Sequence, residues 1–249
     1  MSPSTRASAG QDTVASLQAR LARSEREAAA RQHQLEAYAS DLREVFKQER
    51  TRAQELRRSY KATVLALANA LEARDAYTGR HAQRVAAYGL RIAAAAGIAV
   101  DAEVEFGFLL HDVGKVAVPD AILFKPGPLT DEEFALMTEH PEIGWQILRH
   151  IEFLDDAKAV VRHHHERWDG TGYPDGLAGD AIPEHARLFA LADALDALTT
   201  DRPYRAAVGW SAARERLRAA GGTHFDPAIV AAYDTVPDDE FERIREGMA

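Results

Sequence analysis

Residues 108–115 read Phe108-Leu109-Leu110-His111-Asp112-Val113-Gly114-Lys115. Three apolar residues run straight into a His-Asp pair, with a glycine and a lysine close behind. An apolar helix ending on two ligand-type side chains holds them at the rim of a core. Gly114 is expected to end that helix and let Lys115 turn back toward the pair. A solitary His-Asp dipeptide says little; the apolar run before it and the Gly-Lys after it give this one weight.

Outward from this stretch the chain reads as helix. Spans are expected at 61–75, 80–96, 102–113, 131–139, 141–151, 154–165, 183–198, 210–220 and 226–234, from apolar periodicity and good helix formers. Pro183 suits a first turn, and Gly97 and Gly221-Gly222 suit helix ends. No period-2 strand and no internal repeat appears. Two segments resist helix, 114–130 and 167–182, because each holds several Gly and Pro residues. Such loops inside a helical domain are natural places for a site.

Upstream lies a stretch without breakers: no glycine between Gly10 and Gly79, no proline between Pro3 and Pro119. Its seam Leu35, Ala39, Leu42, Phe46, Glu49, Ala53, Leu56, Tyr60 alternates spacings of four and three, which is heptad spacing. Residues 12–60 are therefore expected as a long helix in a dimeric coiled coil, since so polar a lone helix gains little from packing. Residues 1–11 are expected to be disordered, 61–235 to form the main domain, and 236–249 a helical tail.

Composition excludes much. The 249 residues include no cysteine, so disulfides, thiolate metal sites and cysteine nucleophiles are absent. No run approaches the ~18 apolar residues of a membrane span, and the N-terminus lacks an apolar signal core. The expectation is a cytoplasmic protein with no membrane insertion. Residues 1–60 carry 11 Lys+Arg against 8 Asp+Glu; the remainder carries 19 against 31. A main body this acidic is a poor partner for DNA.

The ten histidines cluster. His111 adjoins Asp112, His163, His164 and His165 precede Glu166, and His81 and His140 stand apart. Asp193 and Asp196 lie three apart on one expected helix face. His33, His150, His185 and His224 read as packed or solvated. A nitrogen-and-oxygen set without sulfur suits first-row metals. An adjacent His-Asp pair can bind one metal while the carboxylate bridges to a second. Metals ~3.5–4 Å apart can hold a hydroxide and clamp an in-line displacement at phosphorus.

The string His164-His165-Glu166-Arg167-Trp168-Asp169-Gly170-Thr171-Gly172-Tyr173-Pro174 resembles the signature of the HD-GYP domain, a branch of the HD metal-dependent phosphohydrolases. Further motifs agree in order: Asp75-Ala76-Tyr77-Thr78, His81 with Arg84-Val85, Leu110 to Lys115, Val118-Pro119-Asp120, Lys125 to Thr130, His140-Pro141, Ala192-Asp193, and Asp201-Arg202-Pro203-Tyr204-Arg205. The resemblance covers roughly residues 65–235. It implies an all-α, HD-type multi-helix bundle and a hydrolase that opens cyclic di-GMP to linear pGpG or GMP in second-messenger signalling.

The resemblance also implies a metal set of His81, His111, Asp112, His140, His164, His165 and Asp193, with Asp112 bridging. Some members hold a third metal with a Glu at the position of Tyr77, so two divalent metals are expected here, Fe or Mn ahead of Zn, Co, Ni or Mg. His163 is expected to be a bystander, and Arg80 to add positive charge near the mouth. Lys115 is expected to stabilise charge on the phosphate, Arg202 and Arg205 to contact substrate, with pairing to Asp201 or Glu184 the alternative for Arg202, and Tyr173 either to stack a base of the substrate or to shape its loop. Two other readings stand beside this one. The first is a phosphodiesterase for another cyclic dinucleotide or nucleotide. The second is a scaffold whose GYP loop docks a diguanylate cyclase. Expected partners are the cyclic dinucleotide, a second copy through the N-terminal helix, and a signalling partner.

Overall fold

A computed structural model describes residues 3–72, 80–201 and 206–248. Its α-helices are α1 (Pro3–Glu72), α2 (His81–Ala96), α3 (Ala102–Leu110), α4 (Asp120–Leu123), α5 (Asp131–Met137), α6 (His140–Leu148), α7 (Asp155–His163), α8 (Glu184–Thr199), α9 (Trp210–Ala219), α10 (Pro227–Asp234) and α11 (Asp238–Glu246). The described residues contain no strand, only single bridges such as Asp169 with Ala178. The all-α expectation stands.

The chain divides into two compact units, 1–59 and 60–249. The first is helix alone. Its seam residues Leu35, Leu42, Phe46 and Leu56 are 67%, 57%, 67% and 52% exposed, so they find no cover within the chain. Surface pairs such as Arg31–Glu27 and Arg52–Glu49 line the helix and add little stability each. The helix is drawn from Pro3. Proline suits a first turn, and one glycine at position 10 costs only about 1 kcal/mol.

In the second unit, residues 60–72 of α1 join the core: Val64 and Ala68 are buried and Tyr60 stacks on Phe153 at 4.4 Å. α2 presents Val85, Tyr88, Gly89, Ile92 and Ala93 inward at helical spacing. A Cβ on Gly89 would overlap the Phe108 ring, so glycine lets α3 pack close to α2. Gly107 plays the same part toward α7, where a Cβ would meet the Ala157 backbone at 2.9 Å. Asp101 caps α3 by accepting from the amides of Glu103 and Val104, both at 2.9 Å. Gly97 ends α2 with φ 71°.

Two expectations change. Segment 114–130 is not free of helix; it holds a 3₁₀ turn at Val113–Ala117 and α4, because its prolines fall outside these short turns. In the C-terminal segment, Phe241 of α11 is fully buried against Tyr88, Trp210 and Tyr233. Gly114 does not end a helix by a left-handed turn. A Cβ there would overlap the His140 carbonyl and the Gly144 amide, so glycine is required for the 3₁₀ turn to lie against α6. That close approach carries Asp112 to the side of His140.

Candidate metal centre and active site

Four helices deliver histidines to one point, and three of them use the same local device. His111 caps α3, His140 opens α6 and His164 caps α7. Each Nδ1 lies against the carbonyl three residues earlier: His111 on Phe108 at 3.0 Å, His140 on Met137 at 2.7 Å, His164 on Val161 at 2.9 Å. A carbonyl only accepts, so Nδ1 carries a proton and Nε2 is the nitrogen that faces inward.

Those Nε2 atoms converge on Asp112. Its Oδ2 lies 3.1 Å from His111 Nε2. Its Oδ1 lies 3.3 Å from His140 Nε2 and 3.9 Å from His164 Nε2. Donor atoms of Asp112, His140, His164 and His165 all fall within 4.8 Å of one another. On the Oδ2 side stands His81, whose ring lies 5.5 Å from that of His111 and whose Nε2 is 3.4 Å from Asp193 Oδ1. Asp112 thus lies beside His111 on one oxygen and beside His140 and His164 on the other, while His81 and Asp193 meet each other next to His111.

The donor chemistry fits cations. His140 and His164 Nε2 face each other at 3.2 Å while both Nδ1 protons are committed to carbonyls. Two facing lone pairs repel unless a positive charge lies between them. A proton is a poor candidate: burial, reinforced by the neighbouring histidines, holds the His164 pKa well below the ordinary imidazole value. Burial and His140 push His165 down to about 3. Both therefore offer neutral rings, the form that binds metal. Burial opposes charge on Asp112, yet His111 and Lys115 hold its pKa well below the usual carboxylate range. Lys115 Nζ sits 2.7 Å from Asp112 Oδ2, so the lysine does turn back to the site.

Other residues hold this cluster. Asp196, only 2% exposed, accepts from His81 Nδ1 at 2.7 Å and is gripped by Arg84 Nε and Nη2 at 2.7 and 3.1 Å. Phe189 packs on His111 with ring centroids 4.6 Å apart. Tyr173 stacks on His165 at 4.7 Å. His163 points elsewhere, 3.6 Å from Asp175 and 3.9 Å from Glu166. Tyr77, Arg202 and Arg205 lie outside the described residues. The sequence reading noticed Asp196 and Glu166 but gave them no task. The three-residue spacings Asp193–Asp196 and His81–Arg84 put the members of each pair on one helix face without telling their tasks apart.

Fold and donor cluster together define an all-helical domain with a His/Asp cluster that could hold metal ions. A family model described as an HD domain matches residues 65–229. The chain belongs to the HD-domain family, and its motifs place it in the HD-GYP branch. It is similar to 3′3′-cGAMP-specific phosphodiesterase 2 of Vibrio cholerae, 45% identical over 199 residues, 78% of this chain and 38% of that protein. It is similar also to the cyclic di-GMP phosphodiesterase response regulator RpfG of Xanthomonas campestris, 41% identical over 174 residues, 68% of this chain and 46% of that one. Among solved structures, Bd1817, an HDG"Y"P protein from Bdellovibrio bacteriovorus, aligns with a TM-score of 0.52 at 23% identity, over 66% of this chain and 52% of its own, a likeness of fold. The chain spans less than half the length of the two curated relatives. No helix among the described residues is long and apolar enough to cross a membrane.

Proposed function

We propose that this chain is a metal-dependent phosphodiesterase that hydrolyses a cyclic dinucleotide, cyclic di-GMP first, to the linear dinucleotide or GMP. The observation that carries this reading is the Asp112 carboxylate standing between two groups of inward-facing histidine donors. Asp112, His140, His164 and His165 would hold one divalent metal; Asp112, His111, His81 and Asp193 would hold the other, with Fe or Mn the leading candidates for both. When bound, two such metals supply a nucleophile from water near neutral pH and neutralise charge gathering on the phosphate oxygens.

The chain's own residues do the rest. Asp112 stays ionised across physiological pH and keeps the two donor groups in register. Lys115 sets an ammonium beside it, able to move onto a non-bridging phosphate oxygen as charge develops there. Burial, with the Asp112 charge, pushes the Tyr173 phenol well up, so its hydroxyl stays protonated and donates toward substrate. Arg202 and Arg205 are proposed to grip phosphate or guanine with forked contacts. A second reading, 3′3′-cGAMP as substrate, is favoured by the 45% identical relative named for it.

The test is direct. The metal-loaded protein is incubated separately with cyclic di-GMP, 3′3′-cGAMP and cyclic di-AMP, beside Asp112→Ala, and products are resolved by chromatography. Turnover of cyclic di-GMP by the parent, and none by the variant, is expected. Preference for 3′3′-cGAMP would move the assignment to the second reading. No turnover of any would sink the enzyme and leave the scaffold that docks a diguanylate cyclase.

The exposed heptad seam of α1 supports a homodimer through that helix. In the full chain Leu42→Glu places a charge on the seam, and sedimentation should then report a monomer where the parent is a dimer. A dimer in both would remove the seam from the interface.

A further inference from the structure

His165 is held differently from the other histidines of the centre. Nδ1 of His111, His140 and His164 is fixed by a carbonyl, and Nδ1 of His81 by Asp196. Among the described residues His165 makes no side-chain hydrogen bond. Its ring is bounded by His164 at 4.1 Å, by the edge of His140 at 5.0 Å, and by Tyr173, stacked at 4.7 Å with 27° between planes. The first two are themselves in the cluster. Tyr173 is the ring from outside it that sets the plane of His165.

Tyr173 is placed by a closed loop of backbone. Its amide donates to the carbonyl of His165 at 3.3 Å. The residue before it must be glycine, because a Cβ at Gly172 would lie 2.5 Å from the Arg167 amide and from Glu166 Cα. The loop is closed from inside by Glu166, whose side chain is fully buried. One of its oxygens accepts from the Asp175 amide at 2.8 Å and the other from the Leu177 amide at 3.1 Å. Arg162 then forks onto Asp175 at 3.0 and 3.1 Å, tying the far end back to α7. The chain leaves α7, passes His164, His165 and Glu166, and folds back so that residue 173 covers residue 165.

We propose that Glu166 and Tyr173 are positioning residues for His165: Glu166 anchors segment 172–177, and the Tyr173 ring sets the orientation of the His165 imidazole. The GYP loop then serves the metal centre from the protein side, besides any contact it makes with substrate. The proposal rests on the reading of His165 as a metal ligand. Replacing a support of a ligating histidine typically weakens metal binding by about 10–100-fold. Removing one acceptor from Glu166 leaves a buried amide without a partner, which loosens the loop.

The experiment titrates the full-length chain with Co(II) against a chelator, following the visible absorption of the bound ion. The variants are Tyr173→Phe, Tyr173→Leu, Glu166→Gln and His165→Ala. Tyr173→Phe keeps the stacked ring and should keep parental affinity and spectrum at both sites. Tyr173→Leu and Glu166→Gln should weaken one of the two sites about tenfold or more, with an altered spectrum, matching the site lost in His165→Ala. Parental Co(II) affinity and spectrum in both Tyr173→Leu and Glu166→Gln would overturn the clamp, leaving Tyr173 a substrate contact. Should Glu166→Gln fail to fold by circular dichroism, the Phe and Leu variants at 173 decide alone. A parent that binds no Co(II) would overturn the metal reading itself, an outcome distinct from failure of the clamp.

Discussion

Asp112 has two oxygens, and the protein builds the two sides of the site differently. On the Oδ1 side, His140 and His164 are aimed by main-chain carbonyls one turn before them. On the Oδ2 side, His81 is aimed by a side chain, Asp196, which is itself held by the Arg84 fork. A carbonyl within the same turn cannot be lost by substitution. A carboxylate on α8 holding a histidine on α2 can be. His140 and His164 are fixed as soon as their helices form; His81 depends on two helices packing and on a buried ion pair that is weakened by any change to either partner. The sides should therefore differ in how easily they are broken singly.

The largest effect belongs to the residue they share. Asp112→Ala removes the carboxylate between both donor groups and leaves Lys115 and His111 facing each other without it. Turnover should fall by more than ~10³-fold, the scale of losing several kcal/mol of charge stabilisation. Metal analysis should show both ions weakened. Retention of both would mean that the sides are held independently and that Asp112 does not join them.

Asp196→Asn separates the sides. The carboxylate is ionised because His81 and Arg84 outweigh the burial that opposes its charge. An amide keeps the shape but has one acceptor oxygen for the three N–H donors of His81 and Arg84. Metal on the His81 side should weaken by about 10–100-fold while the His140 side keeps its ion. Competition titration would show one tight and one weakened site. Equal weakening at both would erase the contrast drawn between carbonyl-held and carboxylate-held histidines.

How much of this could be read beforehand follows the same division. His111, Asp112, His140, His164 and His165 announce themselves through residue type and local spacing, and the orientation of His111, His140 and His164 needs only the turn they sit in. The role of Asp196 could not be read. Two carboxylates three apart on α8 are equivalent in sequence, and only the packing of α2 decides that Asp193 meets His81 Nε2 while Asp196 meets Nδ1. Gly114 was read as a helix stop because glycine commonly is one; its use as a gap for the His140 carbonyl is a tertiary fact. The Glu166 anchor was hidden likewise, since its partners are amides 9 and 11 residues onward in a loop with no regular period.

The finest cut at the comparison is Arg84→Lys. Charge is kept, and so is one contact with Asp196. What goes is the fork, in which Nε and Nη2 reach separate oxygens and fix the carboxylate plane. An ammonium is a point donor and leaves that plane free to swing, carrying His81 with it. The effect should be a fraction of that of Asp196→Asn, about 2–5-fold on the affinity of the His81-side metal, with the other side unmoved. Because charge is conserved, a loss of this size would assign the effect to geometry. A loss as large as that of Asp196→Asn would mean that the fork carries the full orienting energy of His81. No loss at all would mean that α2 packing alone holds the histidine, and the Oδ2 side would then be as much a product of the backbone as the Oδ1 side.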